Sequence, residues 1–278
     1  MREIAHISDL HFGTVIPEVA EGLVADLKSL DPSLVIVSGD LTQRARRGQF
    51  KDAQAYLRRL PQPQLVIPGN HDVPLFDVAR RFLSPLTRYR EFIASELDPE
   101  FSDQELFVVG LNTARSFTWQ SGRISEEQVQ LLANKLVRAG ERLKIVVTHH
   151  PFIPPPHSSG IDLVGRAALA IPILAAGNVD VLLSGHLHQG YAGDIRAHYP
   201  LSRRSIIAVQ AGTATSGRTR NEPNAYNWIT AEPNRITITV RAWNGATFAP
   251  LQFTAYARTE HGWQAETPAP GAVEKEKA

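Results

Sequence analysis

Six short apolar runs, "EIAHIS", "LVIVSG", "QLVIPG", "LFVVGL", "LKIVVTH" and "VDVLLSG", alternate with amphipathic stretches through the first two thirds of the chain. Continuous Val, Ile and Leu runs of this length suit strands buried on both faces. Their alternation with helix-length segments calls for a largely parallel sheet covered by helices. The spacing predicts helices over Pro17 to Leu30, Gln49 to Leu60, Val78 to Leu97, Ser125 to Ala139 and Gly165 to Ala176. Ser125 followed by Glu127 and Gln128 predicts a capping box at one of these starts. After Gly190 the helical pattern stops. "GYAGDIRAHY", "RSIIAVQAG", "YNWITAE", "RITITVRAW" and "FAPLQFTAYA" predict a second, mainly antiparallel sheet packed on the first layer, with "EPN" turns at 222 to 224 and 232 to 234. Residues 1–264 are expected to form a single domain, and the Pro-, Ala- and charge-rich segment 265–278 a disordered tail.

The totals exclude several function classes. Twenty-nine Lys and Arg against 28 Asp and Glu leave a net charge of +1, so no global field favours nucleic acid or anionic membrane, and any basic site must be local. The chain has no cysteine, so disulfides, thiolate metal sites and cysteine nucleophiles are excluded. A metal here needs oxygen and imidazole donors. No segment approaches the ~18 continuous apolar residues of a membrane span. The N-terminus "MREIAHISDLHFG" lacks the apolar stretch and small-residue cleavage site of a secretory signal, so the chain is read as mature from Met1 and cytoplasmic.

Ligands of open α/β sheets collect beyond the carboxyl ends of the strands. Five of the six apolar runs lead there directly into a metal-ligand type: Asp9 and His11, Asp40, Asn70 with His71 and Asp72, His149 and His150, and His186 and His188. All are expected on one edge of one sheet. Gly39, Gly69 and Gly185 allow the backbone to turn sharply before them. Carboxylate, amide and imidazole without sulfur suit two divalent or trivalent ions such as manganese, iron or zinc. Two such ions ~3.5 to 4 Å apart can share a hydroxide and clamp the oxygens of an in-line displacement at phosphorus. Asp40, at a strand tip, is the natural carboxylate to bridge them.

The quoted set "SDLH", "GDL", "GNHD", "THHP" and "GHLH" resembles the calcineurin-like metallophosphoesterases over Ile4 to about Gly190, and within them the bacterial class III cyclic-nucleotide and glycerophosphodiester phosphodiesterases. The resemblance implies a four-layer αββα sandwich that hydrolyses phosphodiesters by attack of a metal-bridging hydroxide. It implies one metal held by Asp9, His11, Asp40 and His188 and a second by Asp40, Asn70, His149 and His186. His149 is taken over His150 as the ligand because of Pro151 two residues on. His71 resembles the histidine that contacts a phosphate oxygen or protonates the leaving group, with Asp72 orienting its ring. His150 is left to contact substrate or to be structural.

The chain departs from the pattern of many of those phosphodiesterases after Asp40, where Gln43-Arg44-Ala45-Arg46-Arg47 stands in place of an acidic residue or a short polar turn. A basic loop there suits a second phosphate, as in a nucleotide, pyrophosphate or nucleic-acid strand, and the bland alternative is a solvated helix start. Arg44 and Arg46 are the candidate substrate contacts. His157 and Trp119 are minor candidates, whereas His6, His198 and His261 read as structural or surface residues. A small phosphodiester is the expected substrate, with a nuclease or a nucleotide-sugar pyrophosphate hydrolase as the enzymatic rival. An inactive protein-interaction scaffold is the rival of another class, disfavoured because all seven ligand positions carry competent residue types.

Overall fold

The computed structural model describes residues 1–118, 120–155, 160–161 and 163–266. Trp119, His157 and the segment 267–278 therefore lie outside the described residues. The chain runs through β1 (Arg2–Ile7), α1 (Pro17–Leu30), β2 (Leu34–Val37), α2 (Arg47–Leu57) and β3 (Gln64–Val66). Two short helices, α3 (Val78–Leu83) and α4 (Thr87–Phe92), precede β4 (Glu100–Ser102) and β5 (Leu106–Leu111). Next come α5 (Glu126–Arg138), β6 (Leu143–Thr148), α6 (Ala167–Ala176), β7 (Val181–Ser184), β8 (Tyr191–Asp194) and β9 (Ile207–Gln210). The chain closes with β10 (Ala225–Ala231), β11 (Arg235–Trp243), β12 (Phe248–Thr259) and β13 (Gly262–Ala265). Glu266 then accepts from Arg235, so the sheet holds the first two residues of the segment expected as a tail.

The expected two-sheet sandwich forms, with its strands divided differently. One sheet has the order β13-β12-β11-β10-β1-β2-β3 and the other β4-β5-β6-β7-β9-β8. The six apolar runs do not share one sheet: β1, β2 and β3 lie in the first, and β5, β6 and β7 in the second. The reason is the antiparallel pairing of β10 on β1, Ala5 opposite Trp228, which makes the C-terminal meander an extension of the first sheet. β9, expected among the C-terminal strands, instead pairs parallel to β7.

Period-2 alternation sorts the strand residues into layers. Ile4, Leu34, Ile36, Val108, Ile145, Val147 and Ile229 meet between the sheets. Val35 and Val37 point the other way, onto α1 and α2 through Leu23, Leu27 and Phe50. Val109 and Val146 pack on α5 and α6 through Leu132, Leu136 and Leu174. Three apolar seams thus separate four layers, helix, sheet, sheet and helix.

The long helix predicted over Val78 to Leu97 is two short ones, because Pro85 has no N–H to donate and Ser84 is pushed out of the helical region at φ −155°. The capping box forms as expected: Gln128 N donates to Ser125 Oγ, and Ser125 N to Gln128 Oε1. No described helix is long and apolar enough to cross a membrane.

Candidate metal centre

The loops after β1 and β2 leave their strands side by side. Asp9 N donates to Gly39 O at 3.1 Å and His11 N to Asp40 O at 2.9 Å, continuing the parallel ladder beyond the sheet. Gly185, after β7, donates to His149 O at 3.0 Å, tying the two loops of the second sheet together. The carboxyl ends of both sheets therefore open at the same place, and the ligand types meet across the sandwich. Gly39 takes φ +101°, and a Cβ on Gly69 would stand 2.1 Å from Asp40 Oδ1, so both positions require glycine.

Two donor clusters result. In the first, Asp9, His11, Asp40 and His188, all buried, bring one donor atom each within 4.8 Å of one another. His188 Nε2 lies 3.2 Å from Asp9 Oδ1 and 3.2 Å from His11 Nε2, and Asp40 Oδ2 lies 3.6 Å from His11 Nε2. In the second, Asn70 Oδ1 lies 3.0 Å from both His149 Nε2 and His186 Nδ1, and Asp40 Oδ1 lies 3.3 Å from His149 Nε2. Asp40 turns one oxygen to each cluster.

The donors fit cations. His149 Nδ1 donates to Ser38 O at 2.7 Å and His188 Nδ1 to Arg218 O at 2.5 Å, which leaves the Nε2 lone pairs of both rings facing the clusters. Asp9 Oδ1 is buried with no hydrogen-bond partner, and His149 Nε2 faces the carbonyl oxygen of Asn70. Lone pairs converging this closely in a buried site repel one another unless a proton or a metal lies between them. The set contains oxygen and nitrogen only, which suits manganese, iron or zinc.

The backbone records the same convergence. Asp9, His11, Asp40, His186 and His188 all have positive φ, between 50° and 74°, a region that non-glycine residues occupy at a cost of roughly 1 to 3 kcal/mol each. Burial works to raise the Asp40 pKa, but His149, His71 and His11 outweigh it and hold the carboxyl well below its ordinary range. Burial opposes charge on His149, yet Asp40 prevails and raises it to about 9. Burial, reinforced by His149, lowers His186 to about 4.

The sequence profile of the calcineurin-like phosphoesterases matches residues 2–190. The chain belongs to that family. It is 29% identical over 164 residues to the glycerophosphodiester phosphodiesterase GpdQ of Enterobacter lignolyticus, 54% of this chain and 57% of that protein. It is 25% identical over 198 residues to a probable cyclic nucleotide phosphodiesterase of Synechococcus, 68% of this chain and 74% of that protein. The 3',5'-cyclic adenosine monophosphate phosphodiesterase CpdA of Escherichia coli K12 is 27% identical over 160 residues, 56% of this chain and 54% of that protein. The matched segments thus span little more than half the length of GpdQ and CpdA. Among solved structures, PhoD aligns over 96% of this chain and 71% of its own, with a TM-score of 0.72 at 14% identity. A dimetal phosphatase from Danio rerio aligns over 90% of this chain and 98% of its own, with a TM-score of 0.65 at 15% identity. Identities this low establish the shared fold alone.

Within this calcineurin-like site, the other predicted residues divide. His71 is at the centre: its ring stands 4.8 Å from that of His11, and its backbone N–H donates to Asp40 Oδ1 at 2.8 Å. Asp72 does not orient it. The His71 Nδ1–H donates to Gln43 O at 2.9 Å, while Asp72 is buried beneath, accepting from Gly69 N, Leu41 N, Thr42 N and Thr42 Oγ1. Burial and the Asp40 charge push Asp72 up to about 7 against the pull of these donors. Its work is to staple the loop after β2 to the loop after β3.

His150 is fully buried, bonded through Nδ1 to Thr113 Oγ1 at 2.7 Å and packed 4.7 Å from the His186 ring, so it backs the second cluster and does not face solvent. Of the arginines, Arg44 reaches the cleft beside His71. Arg46 is exposed at the start of α2, and Arg47 pairs with Glu91 at 2.6 Å. His6 is structural, buried between Ser38 Oγ and Asn227.

Arg218 was missed. Its carbonyl fixes His188, and its Nη1 donates to His71 Nε2 at 3.0 Å. The rule that found the other residues applies here too, because β9 runs parallel to β7 and its carboxyl end leads through Gly212 into this loop. The same loop clamps the first cluster, with Thr213 Oγ1 on Asp9 O at 2.7 Å.

Proposed function

We propose that the chain hydrolyses phosphodiester bonds at a dinuclear metal centre. Asp9, His11, Asp40 and His188 hold one ion, and Asp40, Asn70, His149 and His186 hold the other. The single observation that carries this reading is the division of Asp40, with Oδ2 facing His11 and Oδ1 facing His149. When bound, the two ions supply a water-derived nucleophile at neutral pH and neutralise charge developing on phosphorus. Manganese, iron and zinc all suit the donors.

The chain's own groups do the rest. Ser38 O and Arg218 O orient the imidazoles of His149 and His188, and the His71 N–H holds the Asp40 carboxylate in its divided pose. His71 presents Nε2 to the cleft, where it accepts from Arg218. When a substrate anion draws the Arg218 guanidinium to itself, the Nε2 lone pair is released. Once Nε2 has taken up a proton from water, the ring, now protonated at both nitrogens, can deliver that proton to the departing alkoxide. An inactive scaffold fits less well, since five of seven ligand residues hold a strained backbone that a scaffold does not use. The names of the relatives make cyclic nucleotides and glycerophosphodiesters the first substrates to try.

The test joins metal content to turnover. Elemental analysis of purified protein should find two transition-metal ions per chain. Chelation should abolish hydrolysis of bis(p-nitrophenyl) phosphate and added manganese should restore it. Full turnover in a demonstrably metal-free sample would overturn the proposal.

A further inference from the structure

Beside the metal centre lies a cavity of about 270 Å³, with Asn70 and His71 forming its wall toward the ligands. Among the described residues three arginines line it, Arg44, Arg81 and Arg218, and no carboxylate does. Arg81 is a buried strut, its guanidinium bonded to Ser116 O and Pro74 O. The other two point functional groups at the cavity. Arg44 Nη1 donates to Gln43 O at 3.3 Å and its guanidinium packs over the Phe76 ring at 5.6 Å. Arg218 Nη1 donates to His71 Nε2 at 3.0 Å and to Gln43 Oε1 at 3.3 Å. All these partners are uncharged.

Several arginines elsewhere pair with carboxylates, Arg47 with Glu91, Arg59 with Glu21, Arg80 with Asp77, Arg235 with Glu266 and Arg241 with Asp26, whereas others, such as Arg88 on Ala45 O, bond to neutral groups. Among the described residues neither Arg44 nor Arg218 forms an ion pair. Two half-buried cations brought together without a counter-charge repel each other, so the local structure has to hold them there.

It does so at Arg44 with three devices. The Arg44 N–H is bonded to Gln49 Oε1 at 2.9 Å. The next residue, Ala45, is buried at φ 50°, a left-handed conformation alanine avoids, and its N–H is fixed on Thr42 Oγ1 at 3.0 Å. Thr42 in turn donates to Asp72 at 2.9 Å. At Arg218 the carbonyl is committed to His188, so the side chain is anchored to the metal centre itself.

We propose that Arg44 and Arg218 form a subsite for a second phosphoryl group carried by the substrate, so that diesters bearing an additional phosphate are selected over those without one. A phosphate fits better than a carboxylate because two guanidinium forks offer more N–H donors than two carboxylate oxygens can accept. The inference rests on the phosphodiesterase reading above and narrows its substrate class.

The experiment compares thymidine 5'-(p-nitrophenyl phosphate) with the same ester carrying a 3'-phosphate, using metal-loaded enzyme. Both release p-nitrophenolate, so only the added phosphate differs. Charge-assisted hydrogen bonds of this kind support roughly a ten- to hundredfold preference in kcat/KM, carried by KM. That preference should shrink toward one in Arg44→Gln and in Arg218→Gln, stay intermediate in Arg44→Lys, and weaken as salt is raised. A wild-type ratio near one, or a ratio that survives both glutamine substitutions, would overturn the subsite. Calorimetric binding of thymidine 3',5'-bisphosphate against thymidine 5'-monophosphate supplies a second readout that needs no turnover. If neither ester is hydrolysed, the phosphodiesterase reading fails and this binding ratio alone decides: tenfold tighter binding that is lost in Arg44→Gln supports the subsite, and equal binding ends it.

Discussion

Replacing Gly69 by alanine should empty the second metal position while leaving the first filled. The backbone of Gly69 is extended at φ −106°, so an alanine meets no conformational barrier there and the effect is steric. Its Cβ would stand 2.1 Å from Asp40 Oδ1 and 2.3 Å from Asp40 N. Both contacts fall more than roughly 1 Å inside ordinary van der Waals separation, and the second is to backbone that cannot swing away. Overpacking of this kind costs about 1 to 3 kcal/mol, and the rigid neighbour places Gly69→Ala near the upper end. The softer response is rotation of the Asp40 carboxylate, which takes Oδ1 away from His149 and breaks its bond from the His71 N–H. A displacement near 1 Å removes an oxygen from coordination distance, so affinity at the second position should fall by about 100-fold or more. Elemental analysis after gel filtration should then read one ion per chain instead of two, with kcat on bis(p-nitrophenyl) phosphate reduced in proportion. Gly48→Ala is the control, since nothing stands within 4 Å of its Cβ and it lies in the first turn of α2. Urea titration establishes that both variants are folded. A folded Gly69→Ala protein with two ions and wild-type kcat would refute the placement of Asp40 Oδ1 at the second metal.

Three further outcomes follow from the same geometry. Asp40→Ala should lose both ions and Asn70→Ala chiefly one, as measured by metal stoichiometry, and equal occupancy in the two variants would contradict a bridging role for Asp40. His71→Ala should retain both ions yet lose roughly 10² to 10⁴ in rate on substrates with alkoxide leaving groups and much less with p-nitrophenolate; equal losses on both would make His71 a phosphate-binding group. His6 is buried, and burial lowers its pKa from 6.5 to about 3. As pH falls below 6.5 the unfolded chain takes up a proton there that the folded chain refuses, so stability present above 6.5 is lost on acidification. Between pH 7.5 and 5.5 wild type should lose about 1.4 kcal/mol more than His6→Gln in urea unfolding, and parallel pH profiles would show that His6 charges freely in the native state.

Most of the candidate metal centre is legible in the sequence because each donor directly follows a buried strand, and burial is written in the Val, Ile and Leu runs. The division of strands between sheets is not. "AYNWITA" reads as a strand, but its pairing with β1 instead of with the C-terminal half depends on contacts across more than two hundred residues. Asp72 illustrates a second limit. Its position beside His71 suggests that it orients the ring, whereas the turn over 70–72 aims its carboxylate at the backbone of Leu41 and Thr42. Arg44 and Arg46 are both arginines of one basic loop, and only the left-handed turn at Ala45 sends one toward the cleft and the other to solvent.

That turn joins two parts of the site that the sequence presents as unrelated. Asp72 receives the Thr42 hydroxyl and Thr42 receives the Ala45 N–H, so the carboxylate that staples the metal loops also sets the direction of Arg44. Asp72 accepts from Gly69 N as well, and Gly69 is the residue whose missing side chain makes room for Asp40 Oδ1. Asp40, the proposed bridge, and the Arg44 cation beside it are therefore referenced to one buried group. Asp72→Asn keeps the shape but offers one carboxamide oxygen and an NH₂ where four donors converge, leaving N–H groups facing an N–H₂. Loosening should appear at both ends together, as lower occupancy at the second metal and as reduced discrimination for an additional phosphate. A variant that lost occupancy but kept full discrimination would separate the two and place the control of Arg44 in Gln49 alone.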